Sequence, residues 1–130
     1  MVFPADDKNL PDVLEFIGRC LDSISCPKKA RIQIGISVEE VFVNISHYAY
    51  DKPGGSVTVN VEATPGMAVI TLIDTGFPFD PLKKNDPDIT LSLEERPIGG
   101  LGVFMAKNLM DEMTYEYKDG QNILTMRKHL

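Results

Sequence analysis

The sequence lacks tryptophan, is poor in cysteine and in basic residues, and has no long apolar run. Each shortage removes a class of protein. Cys20 and Cys26 are its only 2 cysteines. They form no CxxC, and the second pair that a zinc site requires is missing, so they read as ordinary reduced thiols. No apolar stretch approaches the roughly 18 to 20 residues that cross a bilayer. The opening segment MVFPADDKNL has no charged-then-apolar signal pattern, which makes the cytoplasm the expected compartment. Lys and Arg number 13 against 19 Asp and Glu, for a formal net charge of -6. That charge would repel nucleic acid and anionic membranes, so neither is expected as a partner.

What is present suits a globular chain. At 130 residues, 43% hydrophobic and 25% charged, the sequence can bury one sizeable core and is expected to form a single domain over residues 1-130. Val13, Leu14, Ile17, Cys20, Leu21 and Ile24 fall at helical spacing and predict a first helix from Pro11 to Ile24. Pro27 favours a second helix beginning near Lys28, because the first turn tolerates a missing N–H. YDKPGGS stops it. Val57, Val59 and Val61 then alternate with Thr58, Asn60 and Glu62 in a strand, and Pro65-Gly66 makes a turn. MAVITLID, apolar on both sides, predicts a central strand sandwiched between other layers and ending at Asp74.

A polar, Pro-rich span from Thr75 to Ile98 follows, longer than a plain connection in a compact domain. GGLGVFMAKNLMDEM resumes helical spacing through Val103, Phe104, Ala106, Leu109 and Met110, and the chain closes in a hairpin that turns at Asp119-Gly120. The order of elements suits a two-layer α/β sandwich, with a mixed, mainly antiparallel sheet covered on one face by helices.

Three stretches could carry chemistry. In VEEVFVNISHYAY, Val38, Val41, Phe42, Ile45, Tyr48 and Ala49 cluster on one side of a helix, leaving Glu40, Asn44 and His47 roughly opposite. On spacing alone, a polar stripe turned to water is the simpler reading. Gly99, Gly100 and Gly102 let backbone N–H groups approach an anion at a helix start, although this is neither a P-loop nor a dinucleotide fingerprint. In DTGFPFDP, Asp74 ends a buried strand beside Gly76, where a carboxylate could accept a hydrogen bond from an adenine amino group or simply form a turn.

Together and in this order, EEVFVN, DTGFPFDP and GGLGVFMAKNLMDEM resemble the GHKL ATPase superfamily, the Bergerat-fold group of gyrase, MutL, chaperone ATPases and histidine kinases. Within it the chain looks like the small stand-alone anti-sigma serine/threonine kinases, through NISHYAY and the closing DGQNILTMRK. The resemblance implies ATP and Mg2+ as cofactors. It makes Asn44 the magnesium ligand and Glu40 the general base, a residue that histidine-kinase catalytic domains usually lack. Asp74 would recognise the adenine amino group and Gly76 would shape the pocket, with Thr125 in support. Gly100 and Gly102 would contact phosphate, with Gly99 and Leu101 contributing backbone. The ATP lid would span about 77–98. Arg96 is a candidate for the lid arginine that contacts the γ-phosphate in some relatives, and a surface arginine reads equally well.

The resemblance further implies transfer of the γ-phosphoryl group to a serine of a STAS-domain anti-sigma factor antagonist, and partner switching that regulates a sigma factor. Homodimers occur among such relatives, so a homodimer is a mild expectation. The alternative is a nucleotide-binding regulatory module that sequesters a sigma factor or other regulator without catalysis. One departure from the pattern is Tyr48, where better-known members carry histidine; His47 stands one place early and is given no role.

Overall fold

The computed structural model describes residues 1–83 and 100–130. In chain order its elements are β1 (Val2–Pro4), a 3-10 turn (Asp7–Asn9), α1 (Leu10–Asp22), α2 (Lys28–Tyr48), β2 (Ser56–Thr64) and β3 (Met67–Asp74), a second 3-10 turn (Pro81–Lys83), α3 (Gly100–Leu109), β4 (Glu112–Lys118) and β5 (Gln121–His129). The helices form where the apolar spacing predicts them. Pro11 and Asp12 fall in the first turn of α1, where a missing N–H is harmless and a negative charge is favourable. Pro27 precedes α2 in extended geometry and starts it at Lys28.

Alternation sets the sheet. The strand order is β1-β2-β3-β5-β4, and every pairing is antiparallel. The mixed component expected from sequence is therefore absent among the described residues. Asp119 and Gly120 take φ of 52 and 76°, the paired left-handed geometry that matches a tight hairpin to strand twist. The short β1 went unpredicted, because VFP has too few residues to show a period; its pairing with Val57 and its neighbours on β2 creates it.

Helices cover one face. Ala68, Ile70 and Leu72 of β3 and Leu124 and Met126 of β5 are buried there against Val38, Val41, Phe42 and Ile45 of α2 and Val13, Ile17 and Leu21 of α1. The intervening residues Val69, Thr71 and Ile73 are only half-buried, so β3 is central in the sheet yet not sandwiched between two layers among the described residues. An apolar run reports burial in general, and here one face is packed on helices while the other is shielded only partly by neighbouring side chains. Tyr48, grouped with the buried face by spacing, is the last residue of α2 and is 49% exposed. No helix among the described residues is long and apolar enough to cross a membrane.

Phe42 is fully buried at the centre of the helix–sheet contact. Phe42→Ala is expected to cost about 3–5 kcal/mol through lost transfer energy plus a cavity, read as a lower urea midpoint with an unchanged slope.

Candidate functional site

The site begins where β3 runs out. Register places Asp74 opposite both Val57 and Asn122, on the helix-covered face. A carboxylate at 5% exposure needs hydrogen bonds, because burying a charged oxygen without partners is costly. Its Oδ1 accepts the Gly76 backbone N–H at 2.9 Å and the Asn122 side-chain Nδ2–H at 2.9 Å. Gly76 is glycine for a steric reason: a Cβ there would stand 2.1 Å from the backbone carbonyl oxygen of Ala49. That same carbonyl accepts the Phe77 N–H at 2.9 Å, which stitches the end of α2 to the turn after Asp74. Tyr50 adds a second stitch, donating to the Ser56 carbonyl at 2.7 Å and accepting the Thr75 N–H at 3.0 Å.

Between α2 and this sheet end lies a small pocket of about 40 Å³. Val41, Ile45, Leu124 and Pro81 give it apolar walls, and Asn44, Asp74 and Asn122 supply polar points. Tyr48, Phe77 and Phe79 stand at the same pocket and remain partly exposed, which leaves it flanked by aromatic surface. Such a mixture of apolar wall and few polar groups is the usual composition of a small-molecule site.

Glu40 lies one helical turn before Asn44 on α2 and meets α3. A Cβ on Gly102 would stand 2.1 Å from Glu40 Oε2, so the close approach exists only because residue 102 has no side chain. The carboxylate therefore lies against the first turn of α3, the positive end of that helix. Neither Glu40 nor Asn44 has a side-chain hydrogen bond or ion pair among the described residues.

The structure thus gathers Asn44 and Asp74 about one pocket, ties Gly76 to Asp74 beside it, and sets Glu40 against Gly102. Gly100 opens α3, and Leu101 belongs to its first turn. Gly99 and Arg96 lie outside the described residues, as does most of the span read as a lid over 77–98. Thr125 falls elsewhere. It pairs with Thr71 and Thr114, one residue out of phase with Leu124, and so stands on the face opposite Asp74. Strand side chains alternate, so position 125 cannot share a face with 122 and 124. The β5 residue that reaches Asp74 is Asn122, which sequence reasoning missed; a lone polar residue in phase with Leu124 and Met126 was the available signal.

Asn122 is a hub. Besides donating to Asp74, its Nδ2 donates to the Phe77 carbonyl at 2.9 Å, and its Oδ1 accepts the Phe79 N–H at 3.2 Å and the Tyr115 O–H. Burial is the main reason the Tyr115 phenol is pushed above its ordinary value, with the charges of Asp80 and Asp74 adding to it against the Phe79 backbone contact; the group stays protonated at neutral pH and can donate. His47 belongs to a separate surface cluster, where Asp7 Oδ2 lies 2.5 Å from His47 Nε2 and Asp7 Oδ1 accepts the Ser46 hydroxyl. Those contacts fasten the turn before α1 to the end of α2.

The chain belongs to the histidine kinase-like ATPase domain family, whose model matches residues 3–128. It is 25% identical over 103 residues to the serine/threonine-protein kinase BtrW of Bordetella bronchiseptica, a match covering 78% of this chain and 72% of BtrW. It is 31% identical over 99 residues to the serine-protein kinase RsbW of Bacillus mycoides and 29% identical over 99 residues to that of Bacillus cereus. Those matches take in 73% of this chain but only 61% of either RsbW. Among solved structures, the fold is similar to a histidine kinase domain from the blue-light activated histidine kinase of Erythrobacter litoralis, with TM-score 0.57 and 21% identity over 79% of this chain and 46% of that one. It is also similar to the Acinetobacter baumannii histidine kinase AdeS, with TM-score 0.53 and 14% identity over 99% of this chain and 67% of that one.

Gly76→Ala is expected to lose about 1–3 kcal/mol, since the methyl group must displace the end of α2; thermal unfolding reads it directly. The carboxyl of Asp7 is held below its ordinary 3.8, first by the Ser46 hydroxyl and then by the His47 hydrogen bond. A depressed folded pKa means the tie adds stability above that value and loses it as pH falls through the folded one. Asp7→Asn should therefore lower the unfolding temperature at neutral pH and flatten its decline below pH 4, in melts recorded across the acid range.

Proposed function

We propose that the chain is a magnesium-ATP-dependent serine/threonine kinase of the anti-sigma type, acting on a serine of a STAS-domain antagonist and thereby regulating a sigma factor. The observation that carries this is the juxtaposition of Glu40 with Gly102 at the start of α3, one turn from Asn44, which lines the same pocket as the buried Asp74. Relatives named as serine-protein kinases support the same direction.

The residues fit the cofactors. The apolar walls suit a flat base, Asp74 offers an acceptor for its amino group, and the start of α3 beside Glu40 favours anions. Among the described residues no cluster of 3 or more His, Cys, Asp or Glu could cage a metal ion. A lone Asn44 oxygen instead suits Mg2+, which keeps water and phosphate oxygens as its other ligands. When bound, Mg-ATP supplies the phosphoryl group and a cation that neutralises charge on its oxygens.

Glu40 does the proton work in this reading. Its carboxylate accepts the proton of the attacking serine hydroxyl as that oxygen nears the phosphoryl group, and the first-turn N–H groups of α3 orient the phosphates. Asp74 holds the base at the far end of the pocket, so the distance between the adenine point and Glu40 is fixed along α2. The lid, read over about 77–98, would close over the nucleotide; Arg96 and Gly99 belong to that proposal. A single domain in the cytoplasm completes it.

Incubating the purified chain with candidate STAS-domain antagonists and Mg-ATP should yield phosphoserine detectable by mass spectrometry. Glu40→Gln is expected to slow transfer by about 10²–10⁴-fold while nucleotide affinity changes little. Asn44→Ala should remove the magnesium dependence of ATP affinity. Absence of phosphoserine on every antagonist, together with normal sigma-factor control by Glu40→Gln, would instead establish a regulatory module without catalysis.

A further inference from the structure

Asn122 and Tyr115 are not among the residues that carry the nucleotide reading, yet they form the most densely bonded polar cluster beside the pocket. Asn122 is 6% exposed, and each of its hydrogen-bonding positions is used. The two Nδ2 hydrogens go to Asp74 Oδ1 and the Phe77 carbonyl, both at 2.9 Å, with the Gly76 carbonyl at 3.4 Å sharing one of them. Both lone pairs of Oδ1 are filled, by the Phe79 N–H at 3.2 Å and the Tyr115 O–H. The amide therefore has one stable orientation. Turning it over would set its oxygen against the Asp74 carboxylate and the Phe77 carbonyl, and would present N–H groups to the Phe79 N–H.

This arrangement has a consequence for Asp74. Oδ1 already accepts from Asn122 and from the Gly76 N–H, whereas Oδ2 accepts from no described residue. Asp74 lines the pocket, and among the described residues no buried side-chain oxygen is left without a partner, so Oδ2 retains open surface. We propose that Asn122, locked by Tyr115, is the positioning residue for base selection: it saturates one oxygen of Asp74 and leaves the other as the single acceptor that a bound base meets. An acceptor at that point binds an N–H of the base and repels a carbonyl oxygen, which favours a 6-amino purine over a 6-keto one. Asn122 also sets the 77–79 segment, so the pocket wall and the acceptor are fixed by one side chain. The inference rests on the ATP reading above and deepens it.

The test compares the full chain with Asn122→Ala and Tyr115→Phe by calorimetry, using ATP and purine riboside triphosphate, which differ by the amino group alone. Wild type is expected to prefer ATP by about ten- to a hundredfold, the range for a hydrogen bond to a charged acceptor. In Asn122→Ala that ratio should fall to within about threefold, and Tyr115→Phe should lower it partway. A merely structural role would lower both affinities in step and leave the ratio unchanged, which overturns the inference. If Asn122→Ala fails to fold by its melting curve, Tyr115→Phe decides, since it loses only one hydroxyl; a wild-type ratio there overturns the inference as well. Wild type that binds neither nucleotide overturns the ATP reading and this inference together. Wild type that discriminates, beside variants that discriminate equally, overturns this inference alone.

Discussion

The buried carboxylate of Asp74 constrains everything around it. A charged group at the end of a central strand and under a helix can persist only with donors supplied locally. The backbone meets that demand by turning sharply at Gly76, and β5 meets it with Asn122. The turn in turn needs a residue without a side chain, because it is pressed onto the Ala49 carbonyl at the end of α2. One buried acid thus fixes the strand end, the turn, the helix end and the residue opposite it in the sheet.

Helix α2 carries that constraint to the other half of the site. Its buried residues Ile34, Val38, Val41, Phe42 and Ile45 hold it on the sheet, so its polar residues have no freedom to slide. Asn44 is delivered to the pocket, and one turn earlier Glu40 is delivered to α3. Gly102 makes the second contact possible in the way Gly76 makes the first: a missing Cβ lets an oxygen come close. Two glycines far apart in sequence therefore seat the middle and the C-terminal end of one helix.

Much of this was legible in the sequence, and the parts that were not share a cause. Helix α2, the two hairpins and the Asp119-Gly120 turn follow from periods and turn chemistry, which are local. So do Glu40, Asn44 and Asp74 as candidates, since their motifs occur in a fixed order. Thr125 was named from a motif match to the last strand, which does not carry the strand's phase, and a shift of one residue exchanges the two sides of a sheet. Tyr48 kept its helical phase but lost its burial at the last residue of the helix. β3 had the composition of a doubly covered strand although helices cover one face.

By itself the sequence determined the main helices and hairpins, their order, the acidic character and the residue types that chemistry of this kind requires, because propensity, period and charge are written along the chain. Only the tertiary structure decided which of those residues meet. The register of β3 against β5 brought Asn122, and not Thr125, to Asp74. Packing of α3 on α2 brought Gly102 to Glu40. The register of β4 against β5 put Tyr115 where its hydroxyl could lock the Asn122 amide. Each is a contact between distant positions, set by shape and hydrogen-bond satisfaction across the core, and no local pattern encodes the distance between two such residues.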